Sequence, residues 1–187
     1  MYRNVFQKGL VTVFYSCGSR PLAEWKQYVK TGFLRRITDE HIRSLVLEIM
    51  SVNIVNTYIT TPPDPNESLG IKLPFLVMIL KNLAKYFSFE IMILDDRDMK
   101  RRFRVSNYQT RSRIGPFCCN MPIGLNPGWN QVQFNLAEFT RQAYGTSYVE
   151  TVRLTIHANC RLRRVYFSER LFDDEELPQE YKLYRPE

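Results

Sequence analysis

The chain has 187 residues, and its 26 Lys and Arg outnumber its 19 Asp and Glu, leaving a net charge of +7. This length is one ordinary domain, in which a single core buries roughly 70% of the unfolded surface and needs no metal or disulfide staple. A hydrophobic content of 44% excludes a disordered chain, and the basic balance points to an acidic partner: nucleic acid, an anionic membrane or an acidic protein surface.

The longest apolar run, Leu73 to Leu80, falls far short of the ~20 residues of a membrane-spanning helix. Met1 to Lys8 has no apolar core of the secretory kind. An intracellular chain is expected, with Cys17, Cys118, Cys119 and Cys160 as reduced thiols. There is no C-x-x-C spacing, and His41 and His157 are the only histidines, so neither a zinc site nor another cofactor is expected.

In chain order, period-2 patterning dominates. Gly9 to Tyr15, Phe33 to Thr38, Ser44 to Ile49 and Val55 to Thr60 read as strands. Pro21 to Val29 reads as a short helix or a strand edge around Trp25, and Thr61 to Asn66 as a proline loop. Pro74 to Phe87 fits a helical face or a strand. An eight-residue apolar run that includes a proline favours a strand buried on both faces, followed by a turn at Asn82 to Tyr86. Phe87 to Leu94, Arg101 to Ser106, Ile114 to Cys119, Trp129 to Leu136 and Val149 to His157 continue the pattern. Ala137 to Tyr144 reads as a short helix stopped by Gly145. In the last strand, Arg161 to Ser168, the apolar parity switches, so a β-bulge is expected near Arg163-Arg164. Asp174 to Leu177 reads as a single turn. About eleven short strands in one body give an all-β fold, an antiparallel two-sheet β-sandwich or jelly roll.

Signals for chemistry are weak. Asp95-Asp96-Arg97-Asp98 reads as a hairpin loop, since the glycine and terminal Glu of a calcium loop are missing. His157 and Cys160 form a nucleophilic pair only if their side chains converge, which the strand parity does not favour. Cys118 and Cys119 are neighbours on a strand, so one faces the core and the other the surface. Trp129 reads as a core anchor before a sugar-stacking face. No nucleophile elbow, Walker or dinucleotide motif is present, and a non-enzyme is expected.

The basic segments say more. With Phe103 and Val105 inward, Lys100, Arg102 and Arg104 form an outward ladder, followed by Arg111 and Arg113. A second group comprises Arg153, Arg161 and Arg163, with Arg164 nearby. Like charges on one strand face repel, and arginine grips carboxylates with a fork of donors, so a counter-charged partner is inferred.

Several stretches carry a resemblance: Ser44 to Ile49, Leu69 to Ile79, Arg101 to Arg104, Ser106 to Gln109 and Gly128 to Gln131. Ala143 to Thr146, Ile156 to Arg161 and Arg163 to Ser168 complete it. The chain resembles the cilia- and flagella-associated protein 20 family over residues 5 to 186. The resemblance implies a jelly roll shaped like a carbohydrate-binding module and a structural, non-enzymatic role in the axoneme. It implies contact with α/β-tubulin at the inner junction of doublet microtubules, where A- and B-tubules join, and support of ciliary motility. The implied neighbours are a partner co-regulated with parkin and other axonemal microtubule proteins, with no membrane and no nucleic acid. The implied location is the axoneme and the basal body or centriole, with a nuclear pool left open. Cys118-Cys119, Pro63 to Glu67 and the missing basic tail after Arg185-Pro186-Glu187 depart from the usual pattern, as in a divergent paralogue.

The alternative class is a module binding an anionic polymer, nucleic acid or glycan, on the same scaffold. The charge is also uneven: residues 1–170 carry +11 and residues 171–187 carry −4. The expected organisation is therefore a basic sandwich over 1–170 and an acidic segment over 171–187, docked on it or extending from it.

Overall fold

A computed structural model describes residues 1–4, 7 and 9–182. Arg185-Pro186-Glu187 and the last part of the acidic segment lie outside the described residues. The first sheet runs β11 (Gly128–Asn135), β6 (Phe75–Asn82), β13 (Cys160–Ser168), β4 (Ser44–Met50) and β3 (Phe33–Asp39), and β1 (Leu10–Tyr15) also pairs with β13. The second runs β2 (Lys26–Val29), β5 (Thr57–Thr61), β12 (Tyr148–His157), β7 (Ser88–Asp95), β8 (Lys100–Ser106), β10 (Cys118–Pro122) and β9 (Arg113–Ile114). Among the described residues, every strand pairing is antiparallel except that of β10 with β8.

The expected β-sandwich is present. Alternate residues of both sheets meet in one core: Met78, Leu80, Phe134, Leu162 and Phe167 from the first, Phe89, Ile91, Phe103, Leu154 and Ile156 from the second. An edge-to-face contact between Phe89 and Phe134, with centroids 5.4 Å apart, joins the two layers. Each fully buried side chain of this size stabilises the fold by about 1.5–3 kcal/mol. The bulge is where the parity switch placed it: the register of β13 against β6 shifts between Leu162 and Arg164, which returns Val165 and Phe167 to the core.

Strand β6 is buried on both faces for a visible reason. Leu76, Met78 and Leu80 face the main core. Ile79 faces outward into a second cluster with Ile42, Val46 and Trp129, closed by the turn after β3. Trp129 is thus an anchor, but of this outer cluster rather than of the main core. The helix α1 (Leu136–Tyr144) follows β11. The Asn135 side chain accepts from the Glu138 N–H at its start, and Gly145, at φ 65°, ends it in the left-handed region that glycine enters without strain.

Three boundaries differ from expectation. Residues 54–56 form a 3-10 turn, and β5 begins only at Thr57. The segment around Trp25 turns first and then enters β2 as a strand. Ile114 to Cys119 is not one strand. Gly115-Pro116 breaks it into β9 and β10, and the Gly115 N–H closes the turn on the Cys118 carbonyl at 2.8 Å.

Beyond β13 the described part of the acidic segment folds back onto the first sheet. Arg170 pairs with Glu176 at 2.9 Å, and this contact holds the Glu176 carboxyl down at about 2. The Tyr181 ring stands edge-on to Tyr166 at 4.9 Å, and its hydroxyl lies 2.7 Å from Thr12 Oγ1.

Candidate partner-binding surfaces

The basic ladder of β8 forms as the parity requires: Phe103 and Val105 are buried, while Lys100 and Arg104 are exposed and Arg102 is half-buried. A counter-ion sits on the neighbouring strand, however. Arg104 Nε donates to Glu90 at 2.8 Å, and Arg102 Nε lies 3.7 Å from the same carboxylate. Burial alone would lower the Arg104 pKa, but the charge and hydrogen bond of Glu90 outweigh it and raise it. Lys100, Arg111 and Arg113 are exposed and make no side-chain hydrogen bond or ion pair among the described residues. Beside Arg111 and Arg113 stand Ile114 and Phe117, each 60% exposed. The 107–117 arm is therefore both cationic and apolar at its tip.

The second basic group is not one outward face. Arg153 lies on β12, where its guanidinium donates to the Pro62 carbonyl at 2.6 Å and the Asp64 carbonyl at 2.9 Å and so pins the proline loop. Burial is the main cause that lowers its pKa. Arg161 is turned into an internal network, with Nε donating to Glu48 at 2.6 Å and Nη1 to Asp39 at 2.8 Å. Arg164 is 5% exposed, with its guanidinium 3.9 Å from the Tyr15 ring centre and 4.3 Å from that of Tyr181. Arg164 is thus buried, while Arg153 and Arg161 are half-buried with donors committed to groups of the same chain. Arg163 is also half-exposed, donating to Ser44 Oγ near Cys17.

Asp39 organises the internal network. Its side chain is fully buried and accepts from Lys81 (3.0 Å), Arg161 (2.8 Å), Trp129 Nε1 (3.2 Å) and the N–H groups of His41 (2.9 Å) and Ile42 (3.2 Å). Burial would raise its pKa, but the donors outweigh burial and hold it well below the ordinary carboxylate value. Nothing in the sequence around Asp39 marks it, because its side-chain partners, Lys81, Trp129 and Arg161, come from strands 42 and more residues away.

The chemistry candidates separate. Asp95 is buried and accepts from the Arg97 and Met99 N–H groups, Arg101 and Thr146, which shape the β7–β8 turn. Cys160 faces the core with 0% exposure, and burial pushes its thiol far up. His157 stands on the outer face of the other sheet, so the two do not converge. Of the adjacent pair, Cys119 is buried and Cys118 half-exposed. Cys17 differs from both: burial raises its thiol pKa, but hydrogen bonds with Ser44, Tyr15 and Ser16 and the Arg163 charge outweigh it and lower the pKa. Brief iodoacetamide treatment of the folded protein is expected to alkylate Cys17 first and leave Cys160 intact. Peptide mapping checks this order, and equal labelling of the two would refute it.

The outer face of the second sheet carries a groove of about 490 Å³. Tyr28, Tyr58 and His157 form one cross-strand row over it, and Lys26, Thr60, Thr155 and Glu90 the next. Pro63 and Pro65 wall one side.

Comparison with known proteins decides the family. The family model for the CFA20 domain matches residues 1–185. This chain belongs to the CFA20-domain family. It is 60% identical to the cilia- and flagella-associated protein 20 of Chlamydomonas reinhardtii, over 100% of this chain and 98% of that one. It is 59% identical to the protein of the same name from Paramecium tetraurelia, over 100% and 97%, and 59% identical to that of Caenorhabditis elegans, over 100% and 92%. The family resemblance read from the sequence is thereby shown, and with it an association with cilia and flagella. Among solved structures, a Clostridium thermocellum xylanase 10B chain with CBM22-1 and GH10 modules, complexed with xylohexaose, aligns with a TM-score of 0.39 and 8% identity, covering 86% of this chain and 29% of that one. A family 11 carbohydrate-binding module from the same organism aligns with a TM-score of 0.33 and 12% identity, covering 85% and 96%.

Proposed function

We propose that this protein is a non-enzymatic structural component of the axoneme that binds tubulin at the inner junction of doublet microtubules and helps join the A- and B-tubules. In this reading its neighbours are α/β-tubulin and the partner co-regulated with parkin, and its sites are the axoneme and basal body. The observation that supports it is the set of exposed cations that have no counter-ion among the described residues, Lys100, Arg111 and Arg113, next to exposed Ile114 and Phe117. A tubulin lattice presents carboxylates, and cations with no internal partner gain most from them. Arg102 and Arg104 border the patch with their charge partly met by Glu90. Arg163 is left as a smaller contact on the other sheet. The acidic segment after residue 170 then serves as the sandwich's own strap, bound through Tyr181 and Arg164.

Charge reversal tests the patch. The triple variant Lys100→Glu, Arg111→Glu, Arg113→Glu alters only exposed side chains and is expected to fold normally. Its affinity in microtubule co-sedimentation should fall about tenfold or more, since each reversed pair is worth up to about 1 kcal/mol. Unchanged binding by a folded variant removes this surface from the account.

A further inference from the structure

We propose that the groove on the outer face of the second sheet is a saccharide site, which takes a neutral pyranose unit of a glycan chain against the Tyr28–Tyr58–His157 row. This goes beyond the tubulin reading and uses none of the residues of the cationic arm. Three observations carry it.

The first is the aromatic row. Tyr28, Tyr58 and His157 are directly opposite one another on β2, β5 and β12. The Tyr28 and Tyr58 rings stack at 5.0 Å with 19° between planes, and Tyr58 and His157 lie 5.2 Å apart. Tyr28 is on the edge strand and 42% exposed. Tyrosines are not needed on this face for the core, which lies on the opposite side of the sheet. A sugar ring offers an apolar C–H face to an aromatic side chain and hydroxyls at its rim, the pairing that amphipathic tyrosines serve.

The second is the adjoining polar row. The Thr60 and Thr155 hydroxyls are 2.8 Å apart and can each donate or accept, and the Glu90 carboxylate follows next in register. The His157 Nδ1 lies 3.2 Å from the Ile54 carbonyl, which places the proton on Nδ1 and leaves Nε2 as an acceptor. Burial lowers the His157 pKa and favours this neutral ring. Hydroxyls, an imidazole acceptor and a carboxylate are a donor and acceptor set suited to sugar hydroxyls.

The third is charge compensation, which decides between ligand classes. Glu90 is met by Arg104 at 2.8 Å and approached by Arg102 at 3.7 Å. Arg153 is tied to the Pro62 and Asp64 carbonyls. Lys26, at the groove's edge, is the lining cation whose donors have no partner among the described residues. An acidic peptide or nucleic acid finds Lys26 as the one lining cation with uncommitted donors among the described residues, whereas a neutral ligand does not depend on it. The volume of about 490 Å³ and the mix of aromatic walls with few polar groups suit a small-ligand site.

Isothermal titration tests the proposal with hexamers of β-linked glucose, xylose and N-acetylglucosamine, and with hexaglutamate in parallel. The N-acetylglucosamine hexamer reports on protein-linked glycans, the other two on structural polysaccharides. At least one neutral hexamer should bind. Tyr28→Ala should weaken it about tenfold, the scale of one lost ring contact, and Tyr28→Phe should retain it. Microtubule binding by both variants should be unaffected, so the two readings fail separately. Absence of binding by all three sugars, binding of hexaglutamate alone, or sugar binding indifferent to Tyr28→Ala would overturn the proposal. Circular dichroism of the variants confirms that this exposed edge position leaves the fold intact.

Discussion

Asp39→Ala is expected to destabilise the protein by about 3–5 kcal/mol, the cost of removing one partner from a buried charge pair. The reason is what remains. Lys81 is 8% exposed and loses the carboxylate it pairs with, Arg161 keeps Glu48, and Trp129 Nε1 and the His41 and Ile42 N–H groups lose the Asp39 oxygen they donate to. An orphaned buried donor carries its full desolvation penalty. The turn over Ile42 and Trp129 depends on the same carboxylate, so the outer cluster loosens with it. Asp39→Asn keeps the shape but not the charge and should fall between the two. Urea denaturation measures both, and a loss under about 1 kcal/mol in Asp39→Ala would contradict the network's role. The pH dependence has a definite sign. A carboxylate with a depressed folded pKa stabilises fully above its unfolded value near 3.9, and the contribution fades as pH falls below it. Wild type should therefore lose stability in acid more steeply than Asp39→Asn.

Arg164→Ala should be the next largest effect, about 2–4 kcal/mol. Its guanidinium lies between two tyrosine rings in a site almost closed to water, where cation–π attraction is strongest, and Nη1 donates to Thr12 at 3.0 Å. The substitution also removes the platform for Tyr181. Limited proteolysis should then cut within residues 171–182 in the variant well before wild type. Equal cutting rates, or an unchanged denaturation midpoint, would show that the strap does not depend on Arg164.

Much of this fold was legible because a sandwich imposes period 2 on nearly every strand. The bulge after Leu162 could be read from a parity switch alone, and the helix end from Gly145. The break at Gly115-Pro116 was also readable, since proline cannot donate within a ladder, but the apolar residues on either side concealed it. The parallel pairing of β10 with β8 was not readable, because no local pattern encodes a partner across a long connection. The same limit governs the basic residues. Parity assigns Arg104, Arg153 and Arg161 to outer faces, but it cannot say that Glu90, the Pro62 carbonyl or Asp39 sits within reach. Lys100 and Arg113 keep their predicted exposure with Leu94 and Asn120, not an acidic residue, opposite them, and Arg111 keeps its own outside any strand. The aromatic row was hidden likewise, since Tyr28, Tyr58 and His157 are neighbours only through the order β2-β5-β12.

The most direct measurement is the fraction of tagged protein that stays with axonemes after detergent extraction of ciliated cells. Retention through detergent and release by high salt are expected, with the Lys100→Glu, Arg111→Glu, Arg113→Glu variant already released at low salt. Wild-type protein found wholly in the detergent-soluble fraction would contradict the axonemal role.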